Sequence, residues 1–206
     1  TMAICLDRAR YGELLDYYGG ERDLRERLIR VLHSLSFVED PTRILRAVRF
    51  ESRLGFRLEE RTEELLRGAL DLLERVSGDR LRHELLLILR EREPERAWAR
   101  LGSLGILEHL EPALRADEWS VLKLRELREA LADLARQRAG GGAPVWPAMA
   151  AGQVPVEVVA LGLLTMRLER PALERLLARL MVPKNQATLL EAMQQLYRVL
   201  PQLTAA

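Results

Sequence analysis

The sequence is poor in the residues that staple folds or ligate metals. One of its 206 residues, Cys5, is a cysteine, which excludes an intrachain disulfide framework and a zinc site built on several thiolates. Its three histidines, His33, His83 and His109, fall at no metal-ligand spacing. No run of about 18 uninterrupted apolar residues occurs, so no membrane-spanning helix is expected. The opening residues carry no basic segment followed by a long apolar stretch, so no secretory leader is expected either. Together with the single thiol this points to a reducing, cytoplasmic compartment. The formal charge is +1, from 32 basic and 31 acidic residues, which argues against attachment to nucleic acid or membrane by bulk charge alone. P-loop, G-x-S-x-G and Rossmann fingerprints are missing. Aromatic residues make up 5% of the chain, and Trp98, Trp119 and Trp146 read as packing residues rather than base-stacking platforms.

What is present is 48% hydrophobic and 31% charged. That is enough for a core and a solvated surface, in one or two domains, and excludes global disorder. The basic side is unusual: Lys123 and Lys184 are the lysines, and the other 30 basic residues are arginines. Arginine keeps its charge, forks onto carboxylates and phosphates, and stacks on bases. A compositional bias produces the same excess, so only the placement of particular arginines bears on function.

Short β-prone stretches at Met2–Leu6 and Glu13–Tyr18 are separated by a turn at Asp7–Gly12 and end at Gly19-Gly20. Two short strands are not independently stable, so they read as the edge of a larger sheet. From Asp23 onward the period is helical. Helices are expected at Asp23–Val31, from Asp40-Pro41 through Phe50 to Leu54, at Glu60–Arg75, Gly78–Arg90, Pro94–Gly105 and Asp117–Arg138. Beyond Ala139-Gly140-Gly141-Gly142-Ala143-Pro144, a flexible break, three more are expected at Val156–Arg167, Pro171–Leu180 and Pro183–Leu200. Asp40 suits a cap, Pro41 the first helical position and Gly55 the stop. At 100° per residue Ile44, Ala47, Val48 and Leu54 share one side of that helix and Arg46, Arg49 and Arg53 the other. Residues 1–138 hold 26 basic and 27 acidic groups and residues 139–206 hold 6 and 4, so the last segment reads as a packing module.

The sharpest constellation is Glu39-Asp40-Pro41-Thr42-Arg43-Ile44-Leu45-Arg46. Asp40 and Arg43, three apart at a helix start, project toward the same region. A carboxylate accepts hydrogen bonds and a guanidinium donates them. Cytosine and adenine offer the complement, an exocyclic amino group beside an unprotonated ring nitrogen; uracil and guanine offer the reverse. An Asp/Arg pair therefore can pass C and A and refuse U and G without a nucleic-acid template, the penalty being unpaired polar groups. By spacing alone the same residues equally make a plain helix cap and a surface ion pair. Gly19-Gly20 ahead of Asp23 is either an ordinary turn or a hinge between sheet and helices. In Arg75-Val76-Ser77-Gly78-Asp79-Arg80-Leu81-Arg82-His83-Glu84-Leu85, Ser77 suits a cap and Arg80–Glu84 an i,i+4 pair. That segment reads either as a brace behind the Asp40 helix or as plain helix architecture.

Gly19-Gly20-x-x-Asp23-Leu24, Ile29-Arg30-x-Leu32 and Phe37-Val38-Glu39-Asp40-Pro41-Thr42-Arg43-Ile44-Leu45-Arg46-Ala47-Val48-Arg49-Phe50, in this order, resemble the class II tRNA nucleotidyltransferase/poly(A) polymerase family. Arg53-Leu54-Gly55-Phe56, Val76-Ser77-Gly78-Asp79-Arg80-Leu81-x-x-Glu84-Leu85 and Leu101-x-x-Leu104-Gly105-Ile106-Leu107 extend the resemblance over about residues 1–115. It implies a mainly α fold of neck, body and tail helices, with a two-strand remnant of the family's head sheet. The corresponding boundaries are 1–22 for the remnant and hinge, 23–90 for the neck, 91–138 for the body and 139–206 for the tail.

The resemblance implies that Asp40 and Arg43 pair with the incoming base, that Arg46 supports them or the nucleotide, and that Gly19, Gly20 and Asp23 form the head–neck hinge. It implies ATP and CTP as substrates and a tRNA acceptor arm, or another RNA 3′ end, as partner. The family's magnesium and its paired aspartates belong to the head, which lies upstream of Thr1. Asp7 and Asp16 lack the D-x-D spacing, so no catalytic or metal-binding residue is assigned. The 206 residues alone are expected not to polymerise. Addition of CCA, CC, A or poly(A) shares these motifs and is left open. The rival expectations are an RNA-binding helical module of the same fold without a catalytic role, and a helical interaction scaffold.

Overall fold

The computed structural model describes residues 2–139 and 154–203; the glycine-rich break at 140–144 and Trp146 lie outside the described residues. The β-prone start forms an antiparallel pair, β1 (Met2–Ile4) and β2 (Leu14–Asp16), with Met2 opposite Asp16. Gly19 then takes a left-handed conformation, φ 73°, and the chain enters α1 (Gly20–Glu26). The helix expected at 23–31 has other bounds. It starts three residues earlier and stops at Arg27, itself left-handed at φ 56°. Leu28–Ile29 is β3, paired in parallel with β4 (Arg57–Leu58). The N-terminal hairpin is thus not the only strand material.

After α2 (Ser36–Glu39), α3 runs from Thr42 to Leu54 and ends on Gly55 at φ 62°. Next come α4 (Glu60–Arg67), a 3₁₀ turn at Leu70–Arg75 and α5 (Gly78–Leu89). Gly68 and Ala69 interrupt the expected single helix of 60–75. The stretch expected as one helix from Pro94 to Gly105 is α6 (Pro94–Ser103), followed by α7 (Ile106–Leu110). Gly105, left-handed at φ 80°, separates the two. Then follow α8 (Glu118–Ala139), α9 (Val156–Thr165), α10 (Arg170–Arg179) and α11 (Lys184–Leu203). The fold is mainly α.

One continuous set of buried side chains joins these helices, including Phe37, Ile44, Leu85, Trp98, Leu124, Leu161 and Leu190. Ile44, Ala47 and Val48 of α3 face it as their spacing requires, whereas Leu54 stays half exposed at the helix end. The opposite face of α3 is not simply solvated. Arg49 is buried there, and the Arg46-Arg49-Arg53 row meets Glu84 and Glu91 across the α3–α5 seam. The arginine side of α3 is a seam of charges, and it fixes the helix that carries Asp40 and Arg43.

Candidate functional site: the Asp40 cleft

Asp40 sits between α2 and α3 with extended backbone (φ −143°, ψ 96°), while Pro41 is already helical (φ −65°, ψ −17°). Proline is preorganised for a first helical turn, and its missing N–H is no loss there. The Asp40 carboxylate caps the helix: Oδ1 accepts from the Thr42 N–H at 3.1 Å and from the Thr42 hydroxyl at 2.6 Å. A third donor arrives from 40 residues away. Arg80 Nη2, on the first turn of α5, donates to Oδ1 at 3.0 Å and Oδ2 at 3.1 Å, and reaches Thr42 Oγ1 at 3.3 Å. The expected Arg80–Glu84 pair within α5 gives way to this contact. Glu84 instead accepts from Arg46 Nη1 at 3.0 Å and faces Arg49 Nη2 at 3.4 Å.

Asp40, Thr42, Arg46, Asp79, Arg80, Arg82, His83 and Glu84 line an open cleft of about 430 Å³. Of the three base-reading candidates, Asp40 and Arg46 are on this lining. Arg43 is one turn along α3 and folds the other way: its Nη1 donates to the Ser36 carbonyl at 3.0 Å and lies 3.5 Å from Glu39. Among the described residues its Nε–H and Nη2–H₂ have no hydrogen-bonding partner, and the side chain is 43% exposed. Glu39 also lies 3.5 Å from His33. Arg46 spans the cleft wall with its guanidinium 5.8 Å from the Phe50 ring centre. Thr42, Arg80 and Glu84 are the site residues that sequence reasoning assigned no role in the cleft. For Arg80 and Glu84 the sequence offered an i,i+4 pair and a brace behind the Asp40 helix; for Thr42 it offered no signal.

None of the three hinge candidates lines the cleft. Gly20 N–H and Glu21 N–H donate to the two Asp16 oxygens at 2.8 and 2.9 Å, so Asp16 closes the start of α1. These backbone donors hold the Asp16 carboxyl below its usual range. Asp23 accepts from Arg30 Nε at 3.1 Å, and Arg30 reaches on to Glu59. Gly19 is the position where a positive φ is required.

Partial burial pushes the Asp40 carboxyl up, but the hydrogen bonds from Thr42, and then the charge and hydrogen bond of Arg80, leave it below the usual range. A carboxylate depressed in the fold lends stability that is fully present above its unfolded value, near about 3.9, and is lost as pH falls through the folded value. The expected result is an Asp40 carboxyl titration, followed by NMR, with its midpoint below that of a free aspartate, and a loss of stability in the same acid window. In Arg80→Ala the midpoint moves up.

Among the described residues no group of three or more His, Cys, Asp or Glu side chains is placed to hold a metal ion. Of the cleft carboxylates, Asp40 is committed to Thr42 and Arg80 and Glu84 to Arg46 and Arg49, while Asp79 bonds Ser77; this set does not fit magnesium. No described helix is long and apolar enough to cross a membrane.

The family described as "Probable RNA and SrmB- binding site of polymerase A" matches residues 55–118. An A-adding tRNA nucleotidyltransferase of Geobacter sulfurreducens is 52% identical over 116 residues, 55% of this chain and 13% of that enzyme. Over these stretches the chain is similar to A-adding and CCA-adding tRNA nucleotidyltransferases. A solved CCA-adding enzyme with ATP superposes with a TM-score of 0.77 at 34% identity, covering 98% of this chain and 45% of that one. The Thermotoga maritima CCA-adding enzyme with tRNA does so at 0.77 and 33%, covering 99% and 46%. The chain therefore spans about half the length of these solved chains, and its match to the Geobacter relative spans a smaller part.

Proposed function

We propose that the chain is the nucleotide-selecting and tRNA-holding portion of a template-independent nucleotidyltransferase that adds C and/or A to RNA 3′ ends. The observation that supports this best is the Asp40 carboxylate, oriented by Thr42 and Arg80 on the wall of an open cleft. An oriented acceptor discriminates where a freely rotating one does not, because a wrong base then leaves buried polar groups unpaired. Asp40 would accept from the exocyclic amino group of cytosine or adenine. Arg43, which bonds Ser36 in this structure, would turn toward the cleft and donate from its open Nε–H and Nη2–H₂ to the ring nitrogen. Arg46, held by Glu84, would steady the nucleotide or the pair. The chemistry of transfer, attack of an RNA 3′ hydroxyl on the α-phosphate of CTP or ATP, belongs to a metal-bearing head. This chain's own residues select and hold.

In an enzyme formed by this chain with a catalytic head, Asp40→Ala and Arg43→Ala should each reduce discrimination of C and A over U and G by roughly 10–100-fold. Single-nucleotide incorporation from each of the four triphosphates measures it, and an unaltered preference in both variants refutes the base-reading role. The match of residues 55–118 to an RNA-binding family favours a second reading, an RNA-binding module without catalytic service. That reading expects salt-dependent tRNA affinity with no nucleoside triphosphate binding.

A further inference from the structure

The first turn of α5, which aims Arg80 at Asp40, is gripped from a part of the chain about 100 residues away. At the C-terminus of α10 the chain turns sharply through Leu180, Met181 and Val182 into α11. Met181 is left-handed at φ 49°, a conformation unusual outside glycine and Asn or Asp. Arg82 Nη1 donates to the Leu180 carbonyl at 2.7 Å and to the Met181 carbonyl. In return Arg179 Nη2 donates to the Leu73 carbonyl at 2.7 Å and Nη1 to the Val76 carbonyl at 3.1 Å. Each arginine thus satisfies carbonyls at the end of the other segment's helix, where cations are favoured. Gly78 makes the approach possible: a Cβ there would stand 2.3 Å from the Arg179 carbonyl oxygen.

Positions 80 and 82 are about 200° apart around a helix. One turn therefore sends one arginine to Asp40 and another to the α10–α11 elbow, both bordering the cleft. Carbonyls can be satisfied by water at a surface elbow. Two arginines exchanged between these segments instead fix their relative position by four hydrogen bonds.

We propose that Arg82 and Arg179 are positioning residues for base selection: their exchange with the elbow and the 3₁₀ turn holds the first turn of α5 where Arg80 orients the Asp40 carboxylate. This rests on the reading of Asp40 as the base acceptor. The consequence is that α10 and α11, which among the described residues make no hydrogen bond or ion pair to Asp40, Arg43 or Arg46, help to set nucleotide preference.

Two readouts test it. In the 206-residue chain, the Asp40 carboxyl titration is followed by NMR in Arg82→Ala, Arg82→Lys and Arg179→Ala. In the enzyme joined to a catalytic head, discrimination of C and A over U and G is measured for the same variants. Arg82→Ala and Arg179→Ala should raise the Asp40 midpoint and lower discrimination by about tenfold. Arg82→Lys, which keeps one charged donor and the fold, should fall between them and the parent. Leu124→Ala, a cavity under α8 and away from the elbow, should lower stability and move neither readout.

An Asp40 midpoint unmoved in all three arginine variants overturns the positioning role. So does a moved midpoint with discrimination intact. Failure of the base-reading assignment shows itself separately, as an Asp40→Ala enzyme that selects nucleotides as the parent does.

Discussion

Glu84→Ala should cost about 3–5 kcal/mol, the range for removing one partner of a buried ion pair. In a chain of this size that lowers the thermal midpoint by roughly 6–20 °C. Glu84 and Arg49 are both more than nine-tenths buried, with the nearest approach between the charges 3.4 Å. Neither is fully satisfied: Arg49 Nε and Glu84 Oε2 have no hydrogen-bond partner. Much of what holds Arg49 in place is therefore the opposite charge itself, in surroundings where charges are weakly screened. Without Glu84 the nearest described carboxylate to Arg49 is Glu91 at 4.0 Å, already bound to Arg53 at 2.8 Å. A buried cation would be left with a shared and distant partner. The substitution also frees Arg46, but that side chain is nearly half exposed and water can replace the lost bond.

The double variant Arg49→Met/Glu84→Leu should recover most of the loss, since apolar residues of similar volume commonly replace a buried pair without penalty. A thermal or denaturant melt of the single and double variants decides between these costs. A single variant as stable as the parent would mean that the α3–α5 seam is held by its apolar contacts alone. Because Arg46 lines the cleft and loses its anchor, Glu84→Gln, which keeps the shape, should separate the effect on nucleotide preference from the effect on stability.

The seam also shows what the sequence could and could not convey. The helix bearing Asp40 was legible because its signals are local: an Asp-Pro start, an apolar row at helical spacing, and a glycine whose φ of 62° closes it. The N-terminal hairpin was legible for the same reason. The parallel pairing of Leu28–Ile29 with Arg57–Leu58 was not, because two-residue strands carry no pattern of their own and exist only through a partner 29 positions away. The arginine row of α3 has the spacing of a solvated face. Whether such a row meets water or the carboxylates of another helix depends on tertiary packing. Likewise Arg80 has an obvious partner four residues on and takes a different one 40 residues back. Local spacing paired Asp40 with Arg43, and the family resemblance added Arg46. The fold divided them, setting two on the cleft wall and turning the third toward Ser36.

Trp98→Ala should be comparably severe, about 3–5 kcal/mol for emptying a fully buried indole site. Trp98 lies on α6 with no exposed surface, and its Nε1–H donates to Ser120 Oγ on α8 at 3.1 Å. That hydroxyl is spoken for on its other side by the Asp117 carbonyl at 2.8 Å, while the Ser120 N–H is capped by Asp117 Oδ1 at 2.9 Å. The indole is thus bonded to the first turn of α8 as well as packed beneath it. Emptying its site leaves a cavity and withdraws a donor from Ser120, in the first turn of the longest described helix. Trp98→Phe keeps most of the ring and should lose less, about 1 kcal/mol of it from the missing hydrogen bond.

The same geometry fixes what the substitution must not do. A side chain with no exposed surface cannot stack on a base, so at temperatures where Trp98→Ala is folded its affinity for tRNA should match the parent's. Trp119 differs, being partly exposed with Arg167 4.8 Å from its ring centre and Tyr197 edge-on at 6.0 Å. Denaturation melts paired with tRNA titrations at one temperature separate the two cases. Reduced affinity of folded Trp98→Ala, with no loss of fold, would contradict the reading of Trp98 as a buried packing residue.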